Sequence, residues 1–170
     1  MPAKKTEEKK KLSKKEQIKR RWKKYQELTG YTDEELKKFR SFPQNVKAME
    51  DSPMMVKYDV VVEVTDVKNC MAGYKKGDTF RIDPYGFLIK EECPPNLCTG
   101  AIFAFKPLVS YAWQALFDGK TQLFHESIRC PDVGVHNAGT GEITMKVYVV
   151  PRGEKLKSKK PEKAGAKSRK

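Results

Sequence analysis

The hydrophobic pattern of the chain changes its period near Val56, and this change constrains the fold more than any other feature. Before it, apolar residues recur at helical spacing between stretches rich in Lys and Glu. After it, the run VKYDVVVEVTDV alternates apolar and polar residues and is rich in β-branched side chains, which is typical of a strand with one buried face. A helical front end followed by a sheet-forming body is therefore predicted.

The front end carries two helix-start signals. Ser13 and Glu16 have the capping-box spacing, as do Thr32 and Glu35, and Gly30 between them provides a stop for the first helix. Apolar residues follow at helical spacing, namely Ile18, Trp22, Tyr25 and Leu28 after the first start and Leu36 and Phe39 after the second. With one more short turn at 44–50, two or three short helices are predicted. Their apolar side chains should pack on each other, on the body or on a protein partner.

The body combines further strand patterns with one apolar helix. Strands are predicted at 79–82, 87–89 and 142–150, with a short segment at 127–129. Residues 99–117 are typical of a buried helix, kinked or split at Pro107. The predicted fold class is α+β, with a small antiparallel sheet covered by one long apolar helix and preceded by the short helices.

Basic charge is concentrated at the two ends of the chain. Of the 35 Lys and Arg residues, 12 lie in 1–24 and nine in 151–170, so the region between is mildly acidic. We predict disordered basic tails at 1–12 and 152–170, a helical arm at 13–50 and an α+β domain at 55–151. The tails could bind nucleic acid or another polyanion. Neither a secretory leader nor a membrane span is recognisable, which predicts a cytoplasmic protein.

Four cysteines are the main candidates for chemistry, and they are Cys70, Cys93, Cys98 and Cys130. In a reducing compartment we expect thiols or metal ligands and no disulfide framework. If the four sulfurs converge, they could hold zinc or an iron–sulfur cluster, although their separations of 23, 5 and 32 residues include no Cys-x-x-Cys pair. Buried thiols that pack as small hydrophobic side chains explain the same pattern.

A reactive thiol is the third interpretation of the cysteines. Cys98 immediately precedes the predicted apolar helix, where the helix dipole favours a thiolate. Only His125 and His136 are present to act as its base, and each is expected to be a loop or surface residue. The acidic pair at 91–92 would raise the pKa of Cys93, which disfavours activation there.

Loops rich in glycine flank the predicted strands. The glycines at 73 and 77 lack the Gly-Lys-Ser/Thr ending of a phosphate loop, and those at 134, 139 and 141 lead into a strand instead of a helix. We therefore expect turn residues at these positions. The same loops supply candidate binding residues, which are Gly73, Lys75, Gly77, Asp78, Asp132 and His136. Paired carboxylates there could hold a cation or act in acid–base catalysis.

The body also contains an ordered set of motifs. They are Val62-x-Val64, the run CMAGYKKGDTF from Cys70, the segment ECP ending at Pro94, Leu97-Cys98, the aromatic helix with Pro107, and the segment RCPD ending at Asp132. This order resembles a family of small uncharacterised Cys-containing domains, known only by a serial number and found mainly in anaerobic prokaryotes. The resemblance covers about 58–150, and 22–45 is similar to longer members. It implies an anaerobic habitat, which favours an iron–sulfur cluster over zinc, and no established activity.

Three functions are open on the sequence alone. The first is a non-catalytic accessory or binding domain of anaerobic metabolism, whose cysteines ligate a metal or line a pocket and whose front helices bind a protein partner. The second is a small thiol-dependent redox enzyme that uses Cys98 or Cys130. The third is a nucleic-acid-associated protein that binds through its basic tails.

Overall fold

The structure is a computed structural model, and it describes residues 12–51 and 54–156. The chain divides into two compact units, Met1–Pro53 and Met54–Lys170. Most of the two predicted tails, 1–11 and 157–170, lies outside the described residues. Residues 152–156, which the prediction assigned to the second tail, are described, and the Arg152 N–H donates a hydrogen bond to the Lys57 carbonyl at 2.7 Å. In the described part of the chain, no helix is long and apolar enough to cross a membrane.

The N-terminal unit is helical throughout its described part. It consists of α1 (Lys14–Thr29), α2 (Asp33–Arg40), α3 (Pro43–Val46) and a π-helical turn (Lys47–Asp51). Both predicted capping boxes are present, at Ser13 and Thr32, with the side-chain and backbone bonds that the sequence spacing implies. Gly30 ends α1 in the left-handed conformation, with φ of 70°. The two longer helices therefore begin and end where their local signals place them.

An aromatic cluster holds α1 and α2 together. Tyr25 stacks on Phe39 with ring centroids 5.0 Å apart, and Trp22 meets the same ring edge-on at 6.4 Å. The indole N–H of Trp22 donates to Glu50 at 2.9 Å, which ties the π-helical turn to α1. The sequence left open whether these side chains pack on each other, on the body or on a protein partner. In the structure they pack on each other.

The C-terminal unit is the predicted α+β body. A short helix, α4 (Met54–Lys57), leads into β1 (Tyr58–Lys68), and β2 (Thr79–Ile82) follows. The long helix α5 (Thr99–Phe117) comes next, and β3 (Ser127–Arg129) and β4 (Glu142–Pro151) complete the sheet. The strand order is β2-β1-β4-β3, and each neighbouring pair is antiparallel. The predicted α+β class and the antiparallel sheet are confirmed.

The alternation of side chains divides the sheet into an apolar and a polar face. Along β1, Val60, Val62 and Val64 are fully buried, and they share the core with apolar residues of β2 and β4. Five residues of α5 cover this face, namely Ala101, Phe105, Leu108, Val109 and Ala112. The opposite face carries Asp59, Glu63, Arg81, Lys146 and Tyr148, which follows from the two-residue period of a strand and from the register.

The prediction of a strand at 87–89 was wrong. Only Leu88 forms an isolated bridge, to Ile82. The preceding turn is held by the Asp83 carboxylate, which accepts the N–H groups of Tyr85 at 2.9 Å and Phe87 at 3.0 Å. Because this turn takes the Phe87 N–H, the pairing with β2 is limited to the Leu88 bridge and the Ile89 N–H, which donates to the Arg81 carbonyl at 2.8 Å, and no ladder forms.

Of the two effects predicted for Pro107, a kink or a split of α5, the split was wrong. The helix runs without interruption from Thr99 to Phe117 with Pro107 inside it. A proline removes the hydrogen bond to the carbonyl four residues earlier, which is that of Phe103. Both Pro107 and Phe103 are exposed, so water can satisfy the carbonyl and the helix continues.

Candidate functional site

Three of the four cysteines line one cavity of about 460 Å³, which we call the thiol pocket. Cys70 follows β1, Cys98 precedes α5 and Cys130 follows β3, so three separate segments contribute cysteines to its lining. The remaining lining residues are Met71, Ala72, Tyr74, Gly100, Ala101, Pro131, Asp132, Thr140, Gly141, Glu142 and Ile143. The wall is mostly apolar, with polar groups at a few positions.

Tyr74 positions the segment that carries Cys98. Its ring is buried, with 4% of its surface exposed. The phenol oxygen accepts the Cys98 N–H at 2.7 Å, and its O–H donates to the Asn96 carbonyl at 3.0 Å. Asn96 in turn donates its side-chain N–H to Ala72 at 3.1 Å. Burial raises the pKa of Tyr74, so the neutral hydroxyl that these bonds require is retained.

Cys130 is held by backbone pairing beyond the end of β3. Its N–H donates to the Ile143 carbonyl at 3.0 Å, and the Ile143 N–H donates to the Cys130 sulfur at 3.3 Å. Both residues line the thiol pocket. The orientation of this thiol therefore depends on the pairing with β4 and not on its own loop.

The two carboxylates at the thiol pocket already have partners. Asp132 accepts the Thr140 hydroxyl at 2.6 Å and the Gly134 N–H at 3.0 Å, and these bonds lower its pKa, with that of Thr140 contributing most. Glu142 forms ion pairs with Lys68, at 2.9 Å, and with Arg129. The pocket therefore offers neither a strong cation site nor a strong anion site.

Cys93 lies in a different place from the other three cysteines. It lines a second cavity of about 750 Å³, which we call the acidic cleft and whose charged lining residues are Asp78, Arg81, Glu91, Glu92, Glu154 and Lys155. Burial raises the pKa of the Cys93 thiol, and Glu92 and Glu91 add to the shift, in the direction that the sequence indicated.

The metal site expected from the sequence stays a prediction, because the structure shows no such site among the residues that it describes. Within residues 12–51 and 54–156, no group of three or more His, Cys, Asp and Glu side chains is placed to hold a metal ion. All four cysteines are free thiols in this part of the chain. A site made of all four cysteines would need their sulfurs directed at one point, and Cys93 lines a cavity separate from that of the other three.

Arg81 holds the acidic cleft together. Only 2% of its side chain is exposed, and its Nε donates to Asp59 at 2.9 Å. Its Nη1 donates to Glu92 at 2.8 Å and to the Glu154 carbonyl at 2.7 Å. Because this guanidinium is engaged by β1, by a 3₁₀ turn (Lys90–Glu92) and by the segment after β4, its charge is used within the fold.

The candidate binding residues predicted from the loops do not form one site. Asp132 lines the thiol pocket, whereas Gly77 and Asp78 line the acidic cleft. His136 is exposed and lines a further cavity. Gly73 and Lys75 are exposed in the β1–β2 loop, where the Lys75 N–H donates to Asp78 at 2.8 Å. Gly73 and Gly77 have φ of 74° and 94°, as expected of turn residues. His125 is also exposed, and neither histidine lines the thiol pocket.

Sequence reasoning missed several residues that shape the thiol pocket. Tyr74, Gly100 and Ile143 were assigned no role, although Tyr74 is the single aromatic residue in the loop 69–78. That isolated ring among Gly and Lys was the one available signal, because an aromatic ring gains much from burial and a buried Tyr needs a partner for its hydroxyl. Gly100 and Ile143 carried no signal, since their importance depends on tertiary neighbours.

Comparisons of the chain with protein-family models, with curated proteins and with solved structures found no match. The resemblance to the Cys-containing domains of anaerobic prokaryotes therefore stays a prediction.

Proposed function

We propose that the protein is a binding domain that holds a small, neutral, apolar molecule in the thiol pocket. The observation that carries this proposal is the meeting of Cys70, Cys98 and Cys130, from three separate segments, on one largely apolar cavity. Thiols that face such a cavity act as small polarizable hydrophobic groups. The cytoplasmic location predicted from the sequence would keep them reduced.

The size and polarity of the thiol pocket support this class of ligand. A volume of about 460 Å³ lies within the range of roughly 300–1,000 Å³ typical of small-molecule sites. Ala101 and Ile143 contribute buried apolar surface to the wall. Because Asp132 and Glu142 are engaged by their own partners, a charged ligand would find no free counter-charge among these carboxylates.

Binding is favoured over thiol catalysis by the composition of the wall. Its lining residues, all within the described part of the chain, include no histidine to activate a cysteine. The described residues also provide no metal-binding group of three or more donors. The proposal of an accessory binding domain is therefore based on the thiol pocket and not on a metal site. A role of the protein in anaerobic metabolism stays a prediction from the resemblance.

Indole, a small and largely apolar probe, tests the proposal with two variants at Gly100. A Cβ built there lies 3.5 Å from Pro131 and 3.7 Å from the Cys98 sulfur, which is ordinary contact, so Gly100→Ala fits. Gly100→Leu extends a larger side chain into the cavity that these residues line. We expect saturable changes in the methyl NMR signals of Ala101 and Ile143 on titration of wild type and Gly100→Ala, and their loss in Gly100→Leu.

The methyl signals of Ile18 in the N-terminal unit provide the internal control. Shifts there as large as those of Ile143 would mean nonspecific association. Failure of wild type to give saturable shifts, or unchanged binding in Gly100→Leu, would contradict the proposed pocket. The far-ultraviolet circular dichroism of both variants shows whether α5 is intact, which we expect because Ala and Leu are better helix formers than Gly.

A further inference from the structure

We propose that the outer face of α1 binds the phosphate backbone of double-stranded nucleic acid. The helix KKEQIKRRWKKYQELT carries seven Lys and Arg residues against two Glu residues. The structure divides these cations between an inner face that packs within the N-terminal unit and an outer face that is exposed to solvent.

The inner face of α1 is occupied. Trp22 is buried, and Tyr25 stacks on Phe39 of α2. Arg21 belongs to this side as well, since its Nη2 lies 3.4 Å from the Glu50 carbonyl oxygen and the residue is partly buried. The aromatic side chains and Arg21 are therefore committed to contacts within the unit.

The outer face carries a row of exposed lysines at steps of four residues. Lys15, Lys19 and Lys23 follow one another with a rise of about 6 Å per step, and Arg20 is exposed beside them. Lys23 approaches Glu27 only at 3.9 Å, with both side chains largely exposed, so this pair is weak. Lys15 and Lys19 form no ion pair with the described residues. A regular row of accessible positive charge remains.

Duplex nucleic acid fits this row better than other polyanions. A duplex presents a dense and regular array of phosphates that a row of lysines can neutralise. Single strands gain affinity from stacking on aromatic side chains, and those of α1 are packed on the inner face. A membrane-binding helix inserts its apolar face into the bilayer, and Trp22 is already buried within the unit. The contacts available are to phosphates, so binding should not depend on base sequence.

The test compares two triple variants of the full chain in binding to a fluorescein-labelled B-form DNA duplex over a range of NaCl concentrations. Lys15→Gln/Lys19→Gln/Arg20→Gln removes three cations from the outer face of α1. Lys76→Gln/Lys90→Gln/Lys120→Gln removes three exposed lysines of the C-terminal unit and serves as the matched control. Both variants retain residues 1–11 and 157–170, so any contribution of those segments cancels.

We expect the α1 variant to reduce the slope of log K against log salt by about 2.7 in magnitude, and the control to leave it nearly unchanged. An equal reduction of this slope in the two variants would mean that net charge alone governs binding, and it would overturn the proposal. So would undetectable duplex binding by wild type, or tighter binding to phosphatidylserine vesicles than to duplex. We expect the circular dichroism spectra of both variants to show the helix content of wild type, because Gln has nearly the helix propensity of Lys and Arg.

Discussion

Gly141 sets how closely the start of β4 approaches the end of β1. A Cβ at this position would overlap the Asn69 carbonyl oxygen and would lie 2.5 Å from that of Lys68. Both neighbours are backbone atoms, of the last paired residue of β1 and of the residue after it, and backbone cannot move aside as a flexible side chain can. The absence of a side chain at Gly141 is therefore required by packing, at a position that itself lines the thiol pocket.

Gly141→Ala should lower the free energy of unfolding by more than about 2 kcal/mol, because the added methyl group must displace backbone. Urea denaturation measures the change. Gly100→Ala is the matched control, since a Cβ there meets only ordinary contacts, and we expect it to be neutral or stabilising. Equal stability of the two variants would show that the β1–β4 junction can relax.

At the scale of elements, the long pairing of β1 with β4 organises the body. The register runs from Tyr58 opposite Pro151 to Lys68 opposite Glu142, with a bulge between Val64 and Asp66. On the polar face, the Tyr148 hydroxyl of β4 donates to Glu63 of β1 at 3.2 Å. Burial and the nearby carboxylate raise the pKa of Tyr148 to about 12.

This shift predicts a loss of stability at high pH. An unfolded tyrosine titrates near pH 10, so between about pH 10 and 12 the folded state holds more protons than the unfolded state. The contribution is fully present below pH 10 and is lost as pH rises towards 12, by on the order of 2 kcal/mol. Urea unfolding at about pH 9 and about pH 11.5 measures it. The Tyr148→Phe variant should lose less stability than wild type over this pH interval. Equal losses in the two proteins would refute the raised pKa of Tyr148 as the cause.

At the scale of the whole described body, Arg81 connects segments that are distant in sequence. Its guanidinium reaches Asp59 at the start of β1, Glu92 in the 3₁₀ turn and the Glu154 carbonyl beyond β4. Arg81 and Asp59 are both 2% exposed at their side chains, whereas Glu92 is 41% exposed. The Arg81–Asp59 pair is therefore buried against the polar face of the sheet, whereas the Arg81–Glu92 pair lies at its edge and is partly in water.

Asp59→Asn should therefore destabilise the protein by about 3 kcal/mol, because it leaves the buried guanidinium without its nearest counter-charge. Glu92→Gln should cost less than about 1 kcal/mol, since that partner is largely in water. The double variant Asp59→Leu/Arg81→Met removes both charges and should be more stable than Asp59→Asn. Chemical denaturation of the three proteins gives this ranking, and a loss in Glu92→Gln as large as that in Asp59→Asn would contradict it.

Much of the fold was predictable from the sequence because its signals are local. The capping residues Ser13 and Thr32, the stop at Gly30 and the limits of α5 depend on neighbours within a few positions. The segment 87–89 was mispredicted because its three apolar residues suit a strand, but the Asp83 turn takes the Phe87 N–H and only Leu88 forms a bridge. The split at Pro107 was wrong because α5 continues where Phe103 and Pro107 are exposed to water, and no local pattern reports that exposure.

The sequence by itself determined α1, α2 and α5 and most of the strands, since periodicity and capping act over one or two turns of chain, but it did not indicate α4. Only the tertiary structure decided which cysteines meet. Cys93 and Cys98 are close in sequence but line different cavities, whereas Cys70 and Cys130 come together from distant segments. The reason is that the antiparallel register of β4 with β1 and β3 brings the ends of β1 and β3 to the start of β4, and such a long-range pairing leaves no trace in residue spacing.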